Sequence, residues 1–335
     1  MEGLLRKLCT ARGVSGFEND ISALLEEELD GHVDKIYRDG LGNLIMEKEG
    51  VQDGPRVMLV AHMDEIGGMV KYVDDKGFLY FVDIGSHNPQ QLLGNRVVIG
   101  NGVNGVIQKK SKDNEFKIGD LYIDVGANGK EDLDELGIGV GSIITRAPLY
   151  DKLLGERRIS KSFDNRSGVC VMAELIREIK DFKGTIIAVA SVQEEVGTRG
   201  AKVVSNTFDA DIAIALDVTF AVDTPQRSSD KDANTYLGKG PAITLKDDYF
   251  ILQTRMREFI ERVAREKDIP LQYDISKGGT DAGPLYTSKG STPTAAVLVP
   301  LRYMHTGNEI IDLDDMRMCV ALLKGIVEGI DSYGL

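Results

Sequence analysis

The chain is poor in cysteine and histidine and has no tryptophan. Its 335 residues include three Cys and four His. Cys9, Cys170 and Cys319 are odd in number, widely separated and without a CxxC pair. That pattern argues against a disulfide framework and against a zinc site built from thiolates. Any chemistry that depends on histidine is restricted to those four positions.

Positive charge and long apolar runs are also scarce. The 40 Lys and Arg are outnumbered by 53 Asp and Glu, which gives a net charge of −13 and a pI near 4.9. A sequence-independent grip on nucleic acid or anionic lipid is therefore not expected. Arg6 and Lys7 interrupt the first apolar residues, unlike a signal peptide, and no apolar run approaches the roughly 18 residues of a membrane span. We expect a soluble protein of a reducing cytoplasm, with no nucleic-acid or membrane partner.

The composition fits a folded protein of about two domains. Hydrophobic residues make up 42% of the chain and charged residues 28%, values that exclude disordered, collagen-like and coiled-coil architectures. At roughly 150 residues per domain, the length corresponds to about two domains.

Strand and helix patterns alternate in two separated parts of the chain. Ser15 to Glu18 fits a capping box that opens a helix ending near residue 30. The predicted strands are residues 56–61, 185–192, 211–216 and 294–299, and the predicted helices are residues 166–180, 249–267 and 312–330. Strands that alternate with helices predict an α/β sheet covered on both faces.

A stretch of different texture separates the two parts. Between about residues 67 and 155, short alternating segments such as KYVDDKGFLYFVDIG and GSIITRAP are divided by Gly, Asn and Asp turns. Such a pattern is typical of a small β-rich domain or barrel. We therefore predict a discontinuous catalytic domain over 1–66 and 156–335, interrupted by an inserted β-rich domain over 67–155.

Acidic and histidine side chains follow the predicted strands of the α/β part. In open α/β sheets, ligands bind beyond the carboxyl ends of the strands. The groups at strand or loop ends are His62, Asp64, Asp164, Glu194, Glu195, Asp217 and His305. Imidazole and carboxylate ligands suit zinc, cobalt or manganese. Two His with three carboxylates would suffice for a pair of ions that share one bridging carboxylate.

Each of these residues also has a structural interpretation when it is taken alone. A histidine after a strand is more often a hydrogen-bonded structural residue, Asp164 could be a helix N-cap and Asp217 could begin a turn. The convergence of several such groups on one side of the sheet favours a site. The remaining histidines, His32 and His87, are expected to face solvent. The glycine-rich segment 278–283 is either a backbone nest near a substrate oxygen or a turn before a helix.

Six motifs, in order along the chain, resemble the M42 metallo-aminopeptidases. They are AHMDEIG (61–67), SFDNRSG (162–168), QEEVGTRGA (193–201), ALDV (215–218), KGGTDAG (277–283) and VPLRYMHT (299–306). The resemblance implies a mixed central sheet flanked by helices, of the zinc-exopeptidase kind. It also implies an inserted β-barrel, used for assembly into tetrahedral homododecamers.

The resemblance further implies a role for each site residue. His62 and Asp217 would hold one divalent ion, Glu195 and His305 a second, and Asp164 would bridge the two, with zinc or cobalt favoured and manganese accepted. Asp64 would orient His62, and Glu194 would be the general base.

The function implied is removal of N-terminal residues from short peptides. Some relatives carry an endoglucanase label, so glycoside hydrolysis is one alternative, and a catalytically silent metal-binding scaffold is another. Lys277 and Arg302 would favour an acidic first residue, unless they are structural cations paired with carboxylates.

Overall fold

The computed structural model describes residues 1–110, 112–225 and 235–334. Its strands, in chain order, are β1 (Lys35–Arg38), β2 (Leu44–Glu49), β3 (Gln52–His62), β4 (Gly67–Val73), β5 (Leu79–Ile84), β6 (Arg96–Ile99), β7 (Val103–Lys109), β8 (Leu121–Asp124), β9 (Ile143–Arg146), β10 (Tyr150–Lys152), β11 (Arg157–Ser160), β12 (Lys183–Ser191), β13 (Ile212–Phe220), β14 (Ala242–Lys246), β15 (Gln272–Ile275), β16 (Thr294–Leu301) and β17 (Glu309–Asp312). Its α-helices are α1 (Glu2–Thr10), α2 (Asn19–Leu29), α3 (Pro89–Leu92), α4 (Lys130–Glu135), α5 (Phe163–Glu178), α6 (Arg199–Thr207), α7 (Thr254–Glu266), α8 (Ala282–Thr287) and α9 (Leu313–Glu328). Among the described residues, no helix combines the length and the apolar character needed to cross a membrane.

An eight-stranded mixed sheet forms the centre of the molecule. Its strand order is β1-β2-β12-β3-β13-β16-β14-β15, and β12, β3, β13 and β16 run parallel to one another. Strands β2 and β14 pair antiparallel with this group on either side. The middle strands are apolar along their length, as residues 186–190 show, because helices cover both faces of a parallel sheet.

Helices flank the sheet and complete its core. Helix α5 packs against β3 and β13 and also against α1, α2 and α9. Helix α9 contacts β16, and α8 contacts β13 and β16. This arrangement confirms the predicted α/β class with a mixed, helix-flanked sheet.

A closed six-stranded barrel is inserted between β3 and the strands that follow residue 146. Its order is β4-β5-β8-β7-β6-β9, which leaves no free edge within the barrel. It has a core of its own, formed by residues such as Leu79, Ile99 and Ile123, each with no exposed surface. The predicted β-rich insert is thus a barrel. The proposed domain limits at 66/67 and 155/156 stay a prediction, and the range 156–335 includes residues 226–234 and 335, which lie outside the described residues.

Two local predictions were wrong, for reasons visible in the hydrogen bonds. Helix α2 begins at Asn19 without a side-chain cap, because the Ser15 hydroxyl donates instead to the buried carboxylate of Asp64. The helix predicted from residue 249 begins at Thr254. The carboxylate of Asp247 accepts two backbone N–H groups of the following residues and forms a turn before the helix.

Leu59 lies in β3 with no exposed surface, so Leu59→Ala should lower the free energy of unfolding by about 2–5 kcal/mol, since a cavity adds to the lost burial. Urea denaturation followed by circular dichroism measures this change. Leu154→Ala is the matched control because Leu154 is 91% exposed, and its effect should stay within about 0.5 kcal/mol. Equal effects of the two substitutions would contradict the central place of β3 in the core.

Candidate metal centre

Two groups of potential metal ligands lie side by side at the carboxyl edge of the parallel strands. The first consists of His62, Asp164 and Asp217, and the second of Asp164, Glu195 and His305. Within each group the ligand atoms lie within 4.8 Å of one another, and Asp164 belongs to both. The structure therefore brings all five residues predicted as ligands into one cluster.

The parallel sheet delivers the first group. His62 is the last residue of β3, and the neighbouring parallel strand β13 carries Asp217. The Nε2 atom of His62 lies 3.2 Å from Asp164 Oδ1 and 3.7 Å from Asp217 Oδ1. Asp217 is inside the strand rather than at its end, because β13 continues to Phe220. It therefore does not begin a turn.

A loop and a neighbouring segment deliver the second group. Glu195 follows β12, and His305 lies between β16 and β17. The Nε2 atom of His305 is 3.1 Å from Asp164 Oδ2 and 3.4 Å from Glu195 Oε2. The two oxygens of Asp164 thus face different imidazoles, so this carboxylate is shared by the two groups. Asp164 does not act as an N-cap, since its oxygens face the imidazoles and Oδ1 of Asn165 accepts the N–H of Gly168 in the first turn of α5.

Asp64 holds several parts of the site together. Its side chain has no exposed surface, and its Oδ1 lies 3.4 Å from Nδ1 of His62. The same carboxylate accepts the backbone N–H groups of Glu194 at 3.0 Å and Glu195 at 3.2 Å. The Ser15 hydroxyl donates to it at 2.6 Å. Asp64 therefore orients one imidazole and fixes the backbone of the paired glutamates at the same time.

The acidic surroundings control the protonation of the imidazoles. Burial alone would lower the pKa of His305, but its hydrogen bonds to Asp164 and Glu195 raise the pKa to about 11. Burial would likewise lower the pKa of His62, and its bonds to Asp164, Asp217 and Asp64 raise it well above the usual value. Carboxylates thus dominate the local potential, and such a site attracts cations.

The donor set fits divalent ions. Oε1 of Glu195 is buried and makes no hydrogen bond within the described residues. Buried polar atoms are normally satisfied, so an unsatisfied carboxylate oxygen inside this cluster is consistent with ion coordination. Imidazole and carboxylate donors are those that zinc, cobalt and manganese accept.

Glu194 occupies a different position from its neighbour. Its Oε2 lies 4.0 Å from Nε2 of His62, outside both three-residue groups. It lines a cavity of about 830 Å³ that also reaches His62, Asp164, Asp217 and His305. Burial, with further contributions from Asp281 and Asp217, raises the pKa of Glu194 well above the usual value, although His62 opposes the rise. Both predicted catalytic residues, Glu194 and Asp64, therefore lie at the cluster.

Three buried acids that support the site were missed from the sequence. Glu309 accepts the backbone N–H groups of Asp164 at 3.1 Å and His305 at 2.9 Å. Glu65 binds Lys161 at 2.7 Å beneath the site, and Asp281 accepts the Ser191 hydroxyl at 2.5 Å. Glu65 and Asp281 lie inside the motifs AHMDEIG and KGGTDAG, and Glu309 lies four residues after His305, so these positions could have indicated them.

The remaining sequence expectations have mixed outcomes. His32 is exposed as expected, but His87 is half-buried because its Nε2 bonds the carbonyl of Gly67 at 2.8 Å. Arg302 pairs with Asp223 at 2.5 Å, which agrees with the structural interpretation of this cation. The glycine-rich segment 278–283 lines the cavity, and Lys277 beside it is exposed.

Comparison with known proteins finds a family whose sequences match this chain. The profile of the M42 glutamyl aminopeptidase family matches residues 42–322. The lysyl aminopeptidase of Pyrococcus furiosus is 34% identical over 341 residues, which cover 97% of this chain and 96% of that protein.

Two solved structures have nearly the same fold. The TET aminopeptidase of the marine sediment archaeon Thaumarchaeota archaeon SCGC AB-539-E09 superposes with a TM-score of 0.95 at 31% identity, covering 99% of this chain and 98% of that one. The Pyrococcus horikoshii TET1 peptidase, which can assemble into a tetrahedron or a large octahedral shell, gives 0.87 at 29% identity, covering 97% and 98%.

Glu309→Gln should weaken metal binding about 10- to 100-fold, as loss of a residue that supports ligands typically does. One backbone N–H, of Asp164 or of His305, would then face an amide NH₂ instead of a carboxylate oxygen. Metal retained after dialysis against a competing chelator, measured by mass spectrometry, checks this. Glu328→Gln, on the surface of α9, should retain metal like the unmodified chain. Unchanged metal retention in a folded Glu309→Gln protein would show that the hydrogen bonds accepted by Glu309 do not support the ligands.

Proposed function

The chain belongs to the M42 family of aminopeptidases, which are metal-dependent peptide-bond hydrolases, and from that premise we propose how its own residues carry out the reaction. It removes N-terminal residues from short peptides and uses two divalent ions. The observation that carries this proposal is the pair of three-residue groups that share Asp164, with Glu194 left beside them in the cavity.

Each ion would have its own ligands and share one. His62 and Asp217 would hold the first, Glu195 and His305 would hold the second, and Asp164 would be common to both. Zinc or cobalt is favoured and manganese is accepted, because all three bind imidazole and carboxylate. When bound, such ions polarise the scissile carbonyl and lower the pKa of water.

Glu194 acts as the general base. It takes a proton from the attacking water as the new C–O bond forms, and it gives that proton to the leaving amine as the C–N bond breaks. A base must lie near the ions without being consumed as a ligand. Adjacent glutamates satisfy both needs here, because Asp64 fixes both backbone N–H groups while Glu195 faces His305 and Glu194 faces the cavity.

The two alternatives fit the arrangement less well. Glycosidases use two carboxylates that flank a sugar ring and need no paired metals, whereas here the acids are grouped with histidines. A silent scaffold would need the ligands but not Glu194, because holding ions requires no base.

Glu194→Gln should reduce aminopeptidase turnover to background and leave the metal content unchanged, because the substitution removes the proton acceptor and no proposed ligand. Release of an aminoacyl anilide chromophore and metal analysis of the same sample measure both quantities. The control is Glu135→Gln on the exposed surface of α4. Near-normal turnover by the Glu194 variant would refute the assignment of the base.

Chelation separates the candidate activities. Hydrolysis of aminoacyl anilides that stops with chelator and returns with zinc or cobalt supports the proposal. Hydrolysis of aryl glycosides that survives chelation would favour the glycosidase alternative, and no hydrolysis of either would favour the scaffold.

The barrel is proposed to mediate assembly into a tetrahedral homododecamer. The tetrahedral assembly of the TET1 peptidase supports this, and a tetrahedral rotation group relates twelve copies. The barrel also exposes large apolar side chains that an interface would cover, namely Tyr72, Val82, Leu136 and Val140. The cytoplasm remains the expected compartment, since Cys9, Cys170 and Cys319 are free and buried.

Light scattering after size exclusion should give a mass about twelve times the 36.6 kDa of one chain. Val140→Lys should reduce that mass, because it places a charge on a barrel residue that is 77% exposed. Val51→Lys is the control, since Val51 is 64% exposed outside the barrel. A monomeric mass for the unmodified chain would exclude the assembly.

A further inference from the structure

The cavity beside the metal centre has a second group of buried carboxylates that the proposed reaction does not use. Asp247 is 3% exposed and Asp274 is 7% exposed, and both line the cavity. Within the described ranges, no lysine, arginine or histidine forms an ion pair with either. Two buried acids without a cation are unusual, because buried charges are normally paired.

Hydrogen bonds connect this group to the metal-bearing strand. The Thr219 hydroxyl donates to Asp274 Oδ1 at 2.7 Å. Thr219 and Asp217 are two residues apart on β13, so their side chains lie on one face of the strand about 7 Å apart. The carboxylate of Asp274 therefore lies against Thr219, two residues along β13 from the proposed ion ligand Asp217.

Asp247 supplies an unused oxygen. Its Oδ1 accepts the backbone N–H of Tyr249 at 2.7 Å and that of Phe250 at 2.6 Å, which forms the turn after β14. Its Oδ2 is buried and has no hydrogen-bond partner among the described residues. The turn accounts for one oxygen only, and the other is left without a partner in a residue that lines the cavity.

The nearby cations do not neutralise these acids. Lys289 pairs with Asp209 at 2.7 Å, and Lys202 donates to the carbonyl of Gly197 at 2.7 Å. Lys277 is exposed at the rim. Asp247 and Asp274, here called the acidic floor, are thus not ion-paired with the lysines that line the same cavity.

A metal ion is a poor occupant for the acidic floor. The groups of three or more potential metal ligands found in the described chain are the two that share Asp164, and neither includes Asp247 or Asp274. The hydroxyls of Ser276, at 2.7 Å, and Thr219 already donate to Asp274. Two carboxylates with hydroxyls around them suit an organic cation that donates several hydrogen bonds.

We propose that Asp247 and Asp274 form the pocket for the side chain of the residue being removed, and that this pocket selects lysine or arginine. The inference rests on the proposed aminopeptidase function. A lysine side chain reaches roughly 6 Å from its Cα, which is similar to the spacing of about 7 Å between Asp217 and Thr219, the residue that binds Asp274. Leu298 and Met304 line the cavity and would give apolar contact to the methylene stem.

The first experiment compares kcat/KM for lysyl, arginyl, leucyl and glutamyl anilides. The unmodified enzyme should prefer the lysyl and arginyl substrates over the leucyl substrate by about tenfold or more, the size of a charge-assisted hydrogen bond. Asp274→Asn and Asp247→Asn should each reduce the lysyl-to-leucyl ratio by about tenfold, mainly through KM. An asparagine at 247 keeps the oxygen that forms the turn, so the backbone is preserved.

The matched control is Asp74→Asn in the barrel. Asp74 also accepts two backbone N–H groups of a turn through Oδ1, from Lys76 and Phe78, and its substitution removes the same charge. It should leave the lysyl-to-leucyl ratio unchanged. A loss of preference in this variant equal to that in the Asp274 variant would overturn the pocket, because charge alone would then explain the effect.

A binding experiment separates failure of the pocket from failure of the function. Calorimetry should show that L-lysine amide binds the zinc-loaded enzyme more tightly than L-leucine amide, and that Asp274→Asn removes the difference. If no anilide is cleaved but this difference is found, the pocket stands and the aminopeptidase proposal fails. If leucyl or glutamyl anilides are cleaved in preference to lysyl ones, the pocket inference is overturned and the function stands.

Discussion

Repulsion among buried carboxylates is the constraint on which the rest of this site depends. The largely buried carboxylates of Asp164, Glu195 and Asp217 surround two imidazoles, and Glu194 lies beside them. Like charges at such distances disfavour ionisation, so the fold must hold these groups in place against their own electrostatics. Divalent ions would relieve the repulsion. The protein therefore has to hold the carboxylate and imidazole side chains in position for the ions to bind.

Carboxylates outside the proposed ligand set maintain that geometry. Asp64 and Glu309 each accept two backbone N–H groups of site residues, so the ligands are fixed through the main chain as well as through their side chains. Beneath them, Glu65 lies against Lys161 at 2.7 Å and Arg166 at 3.7 Å, and this buried cation layer offsets part of the negative charge. Removing one partner of such a pair leaves an uncompensated buried charge, which is why the layer is structurally demanding.

Most of the cluster could be predicted from sequence because local patterns determine its position. Parallel strands end at one edge, so His62 and the residues after β12 had to approach each other once the strands were recognised. Glu309 and Asp281 could not be predicted in the same way, since the contacts of Glu309 with Asp164 and of Asp281 with Ser191 join distant parts of the chain and no periodicity marks the two acids. Asp217 was placed correctly at the site, although its strand runs four residues further than the apolar pattern indicated. The capping box predicted at Ser15 does not form, because the Ser15 hydroxyl donates to the buried carboxylate of Asp64. A tertiary hydrogen bond to a buried acid therefore replaces the local motif.

The reversal of chain direction at β14 explains how one cavity has two acidic regions. Strand β14 runs antiparallel to β16, and β15 runs parallel to β14, so Asp274 reaches the cavity from a different part of the sheet than the metal ligands do. The bond from Thr219 to Asp274 then links this part directly to β13, which carries Asp217. The proposed ion ligand Asp217 and Thr219, which binds the proposed recognition residue Asp274, thereby lie two residues apart on one strand. Because β13 is buried, its repeat would fix the spacing between the proposed ion site and the proposed side-chain pocket.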